Sequence, residues 1–134
     1  MLGISTANAQ MKVAQYAVGE PGTVAYEKLS FWVNKGKRTD VYYAYGKDLK
    51  EVKVKYLGRK SANGVSGFAV QFPNGHALTI TPSGTILKVT DATEAPKIFA
   101  WEYEGPVNGI GTFCRECTEN KEEAMQLIQT YYLK

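Results

Sequence analysis

Two cysteines and one histidine are all that the 134 residues offer toward thiol or soft-metal chemistry. Tetrahedral zinc takes four ligands, so Cys114, Cys117 and His76 fall short of a site, and neither a metal nor another cofactor is expected. No apolar run approaches the roughly twenty residues of a membrane-spanning helix, so a soluble chain without a membrane span is expected. The net charge is only +3, with Lys and Arg interspersed among Asp and Glu. A nucleic-acid-binding face needs clustered basic residues, and the sequence does not suggest one. The glycines between Gly105 and Gly111 lack both a following Lys-Ser/Thr and a βαβ unit, which argues against a phosphate cradle. His76 follows the Asn74-Gly75 turn, at a strand start near solvent, with no carboxylate or nucleophile implied by spacing. Glu102 and Glu104 read as a solvated strand face rather than a glycosidase pair. No catalytic residue is assigned.

What the chain has is alternation, punctuated by turn residues. Phe68, Val70 and Phe72 share one face, Asn74-Gly75 turns, Leu78 and Ile80 resume, and Pro82-Ser83-Gly84 turns again before Leu87 and Val89. Successive side chains of a strand point to opposite faces, so a period of two describes a half-buried sheet folded back on itself. Glu51 to Tyr56 alternates most cleanly: Val52, Val54 and Tyr56 face a core while Glu51, Lys53 and Lys55 face water. Further strand candidates are Met11 to Val18 as an edge strand, Thr23 to Val33, Thr39 to Tyr45, and Lys97 to Glu104 with Phe99, Trp101 and Tyr103 on one core-facing side. Gly58 to Gly64 reads as a longer polar loop and Asp91 to Pro96 as a connection.

Short turns, not helices, join these runs, which predicts an antiparallel meander of seven or eight strands and argues against a parallel α/β sheet. Such a meander must cover its edges. A small barrel or strongly curled sheet is expected, with a two-sheet sandwich as the alternative. The turn at Pro73-Asn74-Gly75 is echoed at Pro82-Ser83-Gly84, two consecutive turns solved by the same chemistry rather than a repeat architecture.

The last segment changes period. Ala124, Met125, Ile128, Tyr131 and Tyr132 recur at three- and four-residue spacing, the stripe of an amphipathic helix. Asn120 with Glu123 predicts a capping box, and Glu119, Glu122 and Glu123 lie near the positive end of the dipole. The stripe is expected to pack on the sheet or over one barrel mouth. The length fits one domain, divided into an arm over 1–22, including the edge strand, and a meander domain with its helix over 23–134. Ala7 and Ala9 ahead of Gln10 match the small-residue pattern of a secretory cleavage site. Residues 1–9 are therefore expected to be a signal-peptide remnant of a periplasmic or secreted protein; an ordinary arm on a cytoplasmic protein is the other reading.

Cys114-Arg115-Glu116-Cys117 has two readings. A thiol near a helix start and beside Arg115 gains thiolate character, as redox pairs require. Redox folds, however, place the pair after a strand in a βαβ context, which favours a local disulfide pinning the Gly105 to Phe113 loop to the helix. Nine tyrosines and two tryptophans stand out. Tyr42, Tyr43 and Tyr45 cannot all face one side of a strand, and with Trp32 they form the candidate binding surface, since tyrosine combines contact area with a polar tip. The competing explanation is the high β-propensity of tyrosine.

Between Glu51 and Ile80, Val54-Lys55-Tyr56, Phe68-Ala69-Val70 and Phe72-Pro73-Asn74-Gly75 with Leu78 resemble the strand-turn pattern of the small periplasmic lysozyme inhibitors of the C-type class. The resemblance implies a β-barrel and enzyme inhibition. The chain departs from that pattern in its cysteine placement, its terminal helix and the lack of a recognisable Ser-Gly inhibitory loop. The residues support first a non-enzymatic, extracytoplasmic binding or assembly module that engages a protein partner or a small ligand through an aromatic sheet face or barrel mouth. An inhibitor and a thiol redox protein are the alternatives.

Overall fold

Alternating apolar and polar residues with turn chemistry every ten residues or so leave each strand one apolar face to bury, and closure on itself buries all of them at once. The computed structural model, which describes residues 11–62, 64–91, 94–102 and 117–133, is such a closed barrel. Eight antiparallel strands follow one another around it: β1 (Met11–Val18), β2 (Glu27–Asn34), β3 (Lys37–Tyr45), β4 (Lys50–Ala62), β5 (Val65–Gln71), β6 (Ala77–Ser83), β7 (Ile86–Asp91) and β8 (Glu94–Trp101). Among the described residues one helix, α1 (Lys121–Tyr131), comes after them in the chain. The mainly β meander read from the sequence is thus borne out in its barrel form, with eight strands and a C-terminal helix.

Several local readings need correction. β1, expected at an edge, pairs with β2 along its whole length and with β8 at Tyr16–Trp101 and Ala17–Ala100. The second strand starts at Glu27, not Thr23, because the Pro21-Gly22 turn continues through Thr23 N–H to the Glu20 carbonyl (3.2 Å) and Tyr26 N–H to the Thr23 carbonyl (3.3 Å). Gly58 to Gly64 is not a loop: β4 runs on to Ala62, and a bulge shifts its register against β5 between Tyr56 and Gly58. Gly58 has φ +120°, a conformation that side chains resist, so the bulge forms at a glycine without ending the strand. β8 begins at Glu94, inside the connection expected to reach Pro96. Residues 1–10 and 103–116, which include Tyr103, Glu104, the Gly105 to Gly111 glycines and Cys114, lie outside the described residues.

The Asn74-Gly75 turn forms as read. Gly75 has φ +95° and donates to the Phe72 carbonyl at 2.9 Å, while Asn74 Oδ1 accepts from the His76 amide at 2.9 Å. The asparagine thus bonds its own turn two residues on.

The core fills one half of the barrel. Phe31, Phe68, Phe99, Leu29, Ile80 and Leu87 are fully buried. α1 closes that end. Asn120 Oδ1 accepts from Glu123 N–H at 2.7 Å, and Glu123 Oε1 accepts in return from the Glu119 amide rather than from Asn120, so the expected box is displaced by one residue. Ala124, Met125, Leu127 and Ile128 are buried; Leu127 joins the predicted stripe and Tyr131 is only half-buried. Beyond the last turn, Tyr132 enters the barrel and meets Phe31, Phe68 and Tyr56 at centroid distances of 5.3, 5.5 and 5.7 Å. Arg38 lies over the Tyr56 ring at 3.8 Å and donates to the Tyr131 carbonyl at 2.8 Å, a cation at the negative end of the helix.

Among the described residues β1 and β8 pair at two positions, the Glu102 amide donates to the Gln15 carbonyl at 2.9 Å, and a second segment adds to this seam. Cys117 bridges in parallel to Val13, and the Thr118 amide donates to the Val13 carbonyl at 2.9 Å. Trp101, expected in the core, is half-buried beside it and donates from Nε1 to Thr118 Oγ1 at 3.0 Å.

Candidate functional site

In an up-and-down barrel the ends of odd strands and the starts of even strands meet at one rim. Here that rim carries Val18 of β1, Glu27 of β2, Tyr45 of β3, Phe72 and His76 flanking the β5–β6 turn, and Asp91 of β7. It opposes the end plugged by α1 and Tyr132, and it opens into a cavity of about 700 Å³ with Leu78 and Val89 among its lining. The volume falls within the range of about 300–1,000 Å³ typical of small-molecule sites.

Cross-strand register puts charge at this mouth. Val18 lies opposite Glu27, Glu27 opposite Tyr45, and Val89 opposite Lys97. Glu27 accepts from Tyr43 Oη on Oε1 at 2.8 Å and from Lys97 Nζ on Oε2 at 2.5 Å. His76 Nε2 and Asp91 Oδ2 are also 2.5 Å apart. The sequence reading gave His76 no neighbouring carboxylate; the β6–β7 hairpin supplies one from fifteen residues away.

Aromatic rings line the adjoining arc. Tyr43 and Tyr45 stack at 5.5 Å with 23° between their planes, Phe72 meets Tyr43 edge-on at 5.0 Å, and His76 stacks on Phe72 at 5.9 Å. The mouth thus joins a ring ladder to two acid–base pairs above an apolar floor. Such a surface holds a molecule with an apolar or flat body and a polar group, and it offers donors and acceptors for orientation.

Of the four aromatic residues singled out from the sequence, Tyr43 and Tyr45 line the cavity; Tyr42 and Trp32 do not. Tyr42 sits opposite Ser30 and Lys53, off the Val41–Tyr43 face. Trp32 falls at the β2 bulge, and its carbonyl accepts from Tyr132. Glu27, Asp91 and Lys97 carry no local signal that would have marked them, since they meet only through register; the alternation places Phe72 on the face of Phe68 and Val70 but not at the mouth. Cys117 is buried and disulfide-bonded, with Sγ 3.5 Å from Gln15 Oε1; Cys114 lies outside the described residues.

Among the described residues no group of three or more His, Cys, Asp or Glu is placed to hold a metal ion, and no helix is long and apolar enough to cross a membrane. In comparisons with protein-family models, curated proteins and solved structures, nothing matches the chain.

Proposed function

We propose that the protein is a binding module that holds one small amphipathic ligand in the open mouth of its barrel. The observation that carries this reading is the cavity of about 700 Å³ at the end opposite α1, lined by Tyr43, Tyr45 and Phe72. Eight-stranded barrels have an interior just wide enough to be filled by side chains or to hold one small ligand. This one divides the two options between its halves. No nucleophile–base pair is part of the reading, which is one of binding rather than catalysis. The disulfide at Cys117 supports action outside the cytoplasm, where such bonds persist. Its burial at the β1 seam supports a bracing role over exchange chemistry, which needs an accessible thiolate. Inhibition by loop insertion loses support from Gly58 to Gly64, since that stretch is mostly strand.

Titration with Nile red, an uncharged dye whose emission rises and shifts to the blue in apolar surroundings, tests the reading. Saturable binding at one dye per chain is expected, and Val18→Trp, which places an indole in the mouth, should remove it while the far-UV circular dichroism stays that of the barrel. No saturable binding by the wild type, or equal binding by the variant, would count against the mouth as the site.

A further inference from the structure

We infer that the ligand of the barrel mouth is a cation: an amphipathic amine whose protonated nitrogen is received by Glu27 and the Tyr43 and Tyr45 rings while its apolar body descends toward Leu78 and Val89. This inference rests on the proposal that the mouth binds a small molecule, and it adds the chemical class.

Three observations lead to it. The first is the order of the charges with depth. In both acid–base pairs the acid is the buried member: the Glu27 and Asp91 side chains are 17% and 16% exposed, against 43% for both Lys97 and His76. An arriving group therefore passes bases at the outside and meets carboxylates within.

The second is exchangeability. Lys97 has a long flexible stem and is the more exposed member of its pair with Glu27, so an incoming ammonium replaces it at the carboxylate like for like. An incoming carboxylate would have to draw Lys97 away and leave Glu27 facing a second negative charge, and a like-charge contact in a half-buried site is costly.

The third is the wall itself. Tyr43 donates to Glu27 Oε1 while its ring stacks with Tyr45 and meets Phe72, so aromatic faces and a carboxylate adjoin in one corner. Ring faces are electron-rich and attract cations, most strongly where water is partly excluded. The aliphatic floor supplies apolar area, which adds affinity without regard to charge.

Three indoles that share a ring and a two-carbon arm but differ in charge make the test: tryptamine, the neutral alcohol tryptophol, and indole-3-propionate, each titrated calorimetrically into the full chain near neutral pH. A charge-assisted bond together with a cation–π contact predicts tryptamine tighter than tryptophol by on the order of tenfold, with indole-3-propionate the weakest. Glu27→Gln should collapse the tryptamine–tryptophol ratio. Lys97→Met, which removes the resident cation, should tighten tryptamine, and it keeps the test open if Glu27→Gln fails to fold. Tightest binding by indole-3-propionate, an unchanged ratio in Glu27→Gln, or weaker tryptamine binding by Lys97→Met overturns the assignment of a cation. If Nile red binds and the indoles rank otherwise, the cup stands and its ligand class falls. If neither Nile red nor any indole binds, the cup falls with it.

Discussion

Tyr132 donates its phenolic hydrogen to the carbonyl of Trp32, 2.7 Å away, across a hundred residues of sequence. The same oxygen lies 3.2 Å from the Asp40 carbonyl. The β2 and β3 strands both belong to the barrel wall, so this one hydroxyl fastens the plug to the bulged end of β2 and the start of β3.

Tyr132→Phe keeps the ring and removes the fastening. The cost should be about 1–2 kcal/mol, since a partly buried carbonyl loses its donor while the packing on Phe31 and Phe68 remains. Tyr132→Ala should cost about 3–5 kcal/mol through the cavity it leaves. Urea denaturation of the two variants against wild type measures both, and equal losses would show that the ring contacts, not the hydroxyl, carry little of the energy.

Tyr16 is the opposite case. It is fully buried, and its Oη has no hydrogen-bond partner among the described residues. A buried hydroxyl without a partner incurs its desolvation penalty uncompensated. Tyr16→Phe should therefore be neutral or stabilising by up to about 1 kcal/mol. A loss of stability in a thermal melt would reveal a partner for the hydroxyl.

Burial raises the pKa of both hydroxyls, Tyr16 and Tyr132, well above the ordinary tyrosine value of 10.0. The folded chain keeps these protons where the unfolded chain gives them up. Stability from this source is complete below about pH 10 and is lost as pH rises beyond it, because the unfolded state then binds fewer protons than the native one. Phenolate absorbance should show two tyrosines that ionise only together with the loss of near-UV circular dichroism. Smooth ionisation of all nine tyrosines ahead of unfolding would contradict this.

Asn120→Ala should cost about 1 kcal/mol, and Asn120→Asp should recover most of it, since the cap needs only an oxygen at the Glu123 amide. Helix loss in the Ala variant should appear alongside a weaker hold of Tyr132 in the barrel. Equal stability of the Ala and Asp variants would mean that tertiary packing alone sets the start of α1.

The barrel was legible in the sequence wherever one face is wet. Val52 and Val54 alternate with Lys53 and Lys55, and the burial of β4 follows that alternation. The Asn74-Gly75 turn was legible for the same kind of reason, because its side-chain and positive-φ chemistry is local. Gly58 misled, since a glycine within a strand marks a bulge as readily as a loop and only the pairing with β5 tells which. The site was legible in half its aromatics. Tyr43 and Tyr45 lie on the inward face of β3 and Tyr42 does not, a parity that becomes definite only once Val41 is known to point to the core. Glu27 and Lys97 are seventy residues apart, and no spacing rule reaches that far.

The narrow junction between β1 and β8 has a consequence for how the chain reaches its native state. Among the described residues the first strand meets the last at two residue pairs and at the Glu102 amide, which donates to the Gln15 carbonyl, and Cys117 and Thr118, beyond every strand in sequence, meet it at Val13. The contacts that close the barrel at β1 therefore join Val13, Gln15, Tyr16 and Ala17 to Ala100, Trp101, Glu102, Cys117 and Thr118, far away in sequence. Contacts of such long sequence separation form slowly, and an open strand invites pairing with a neighbouring chain in the meantime. Closure at β1 is expected late in folding, so dilution should favour it over association between chains.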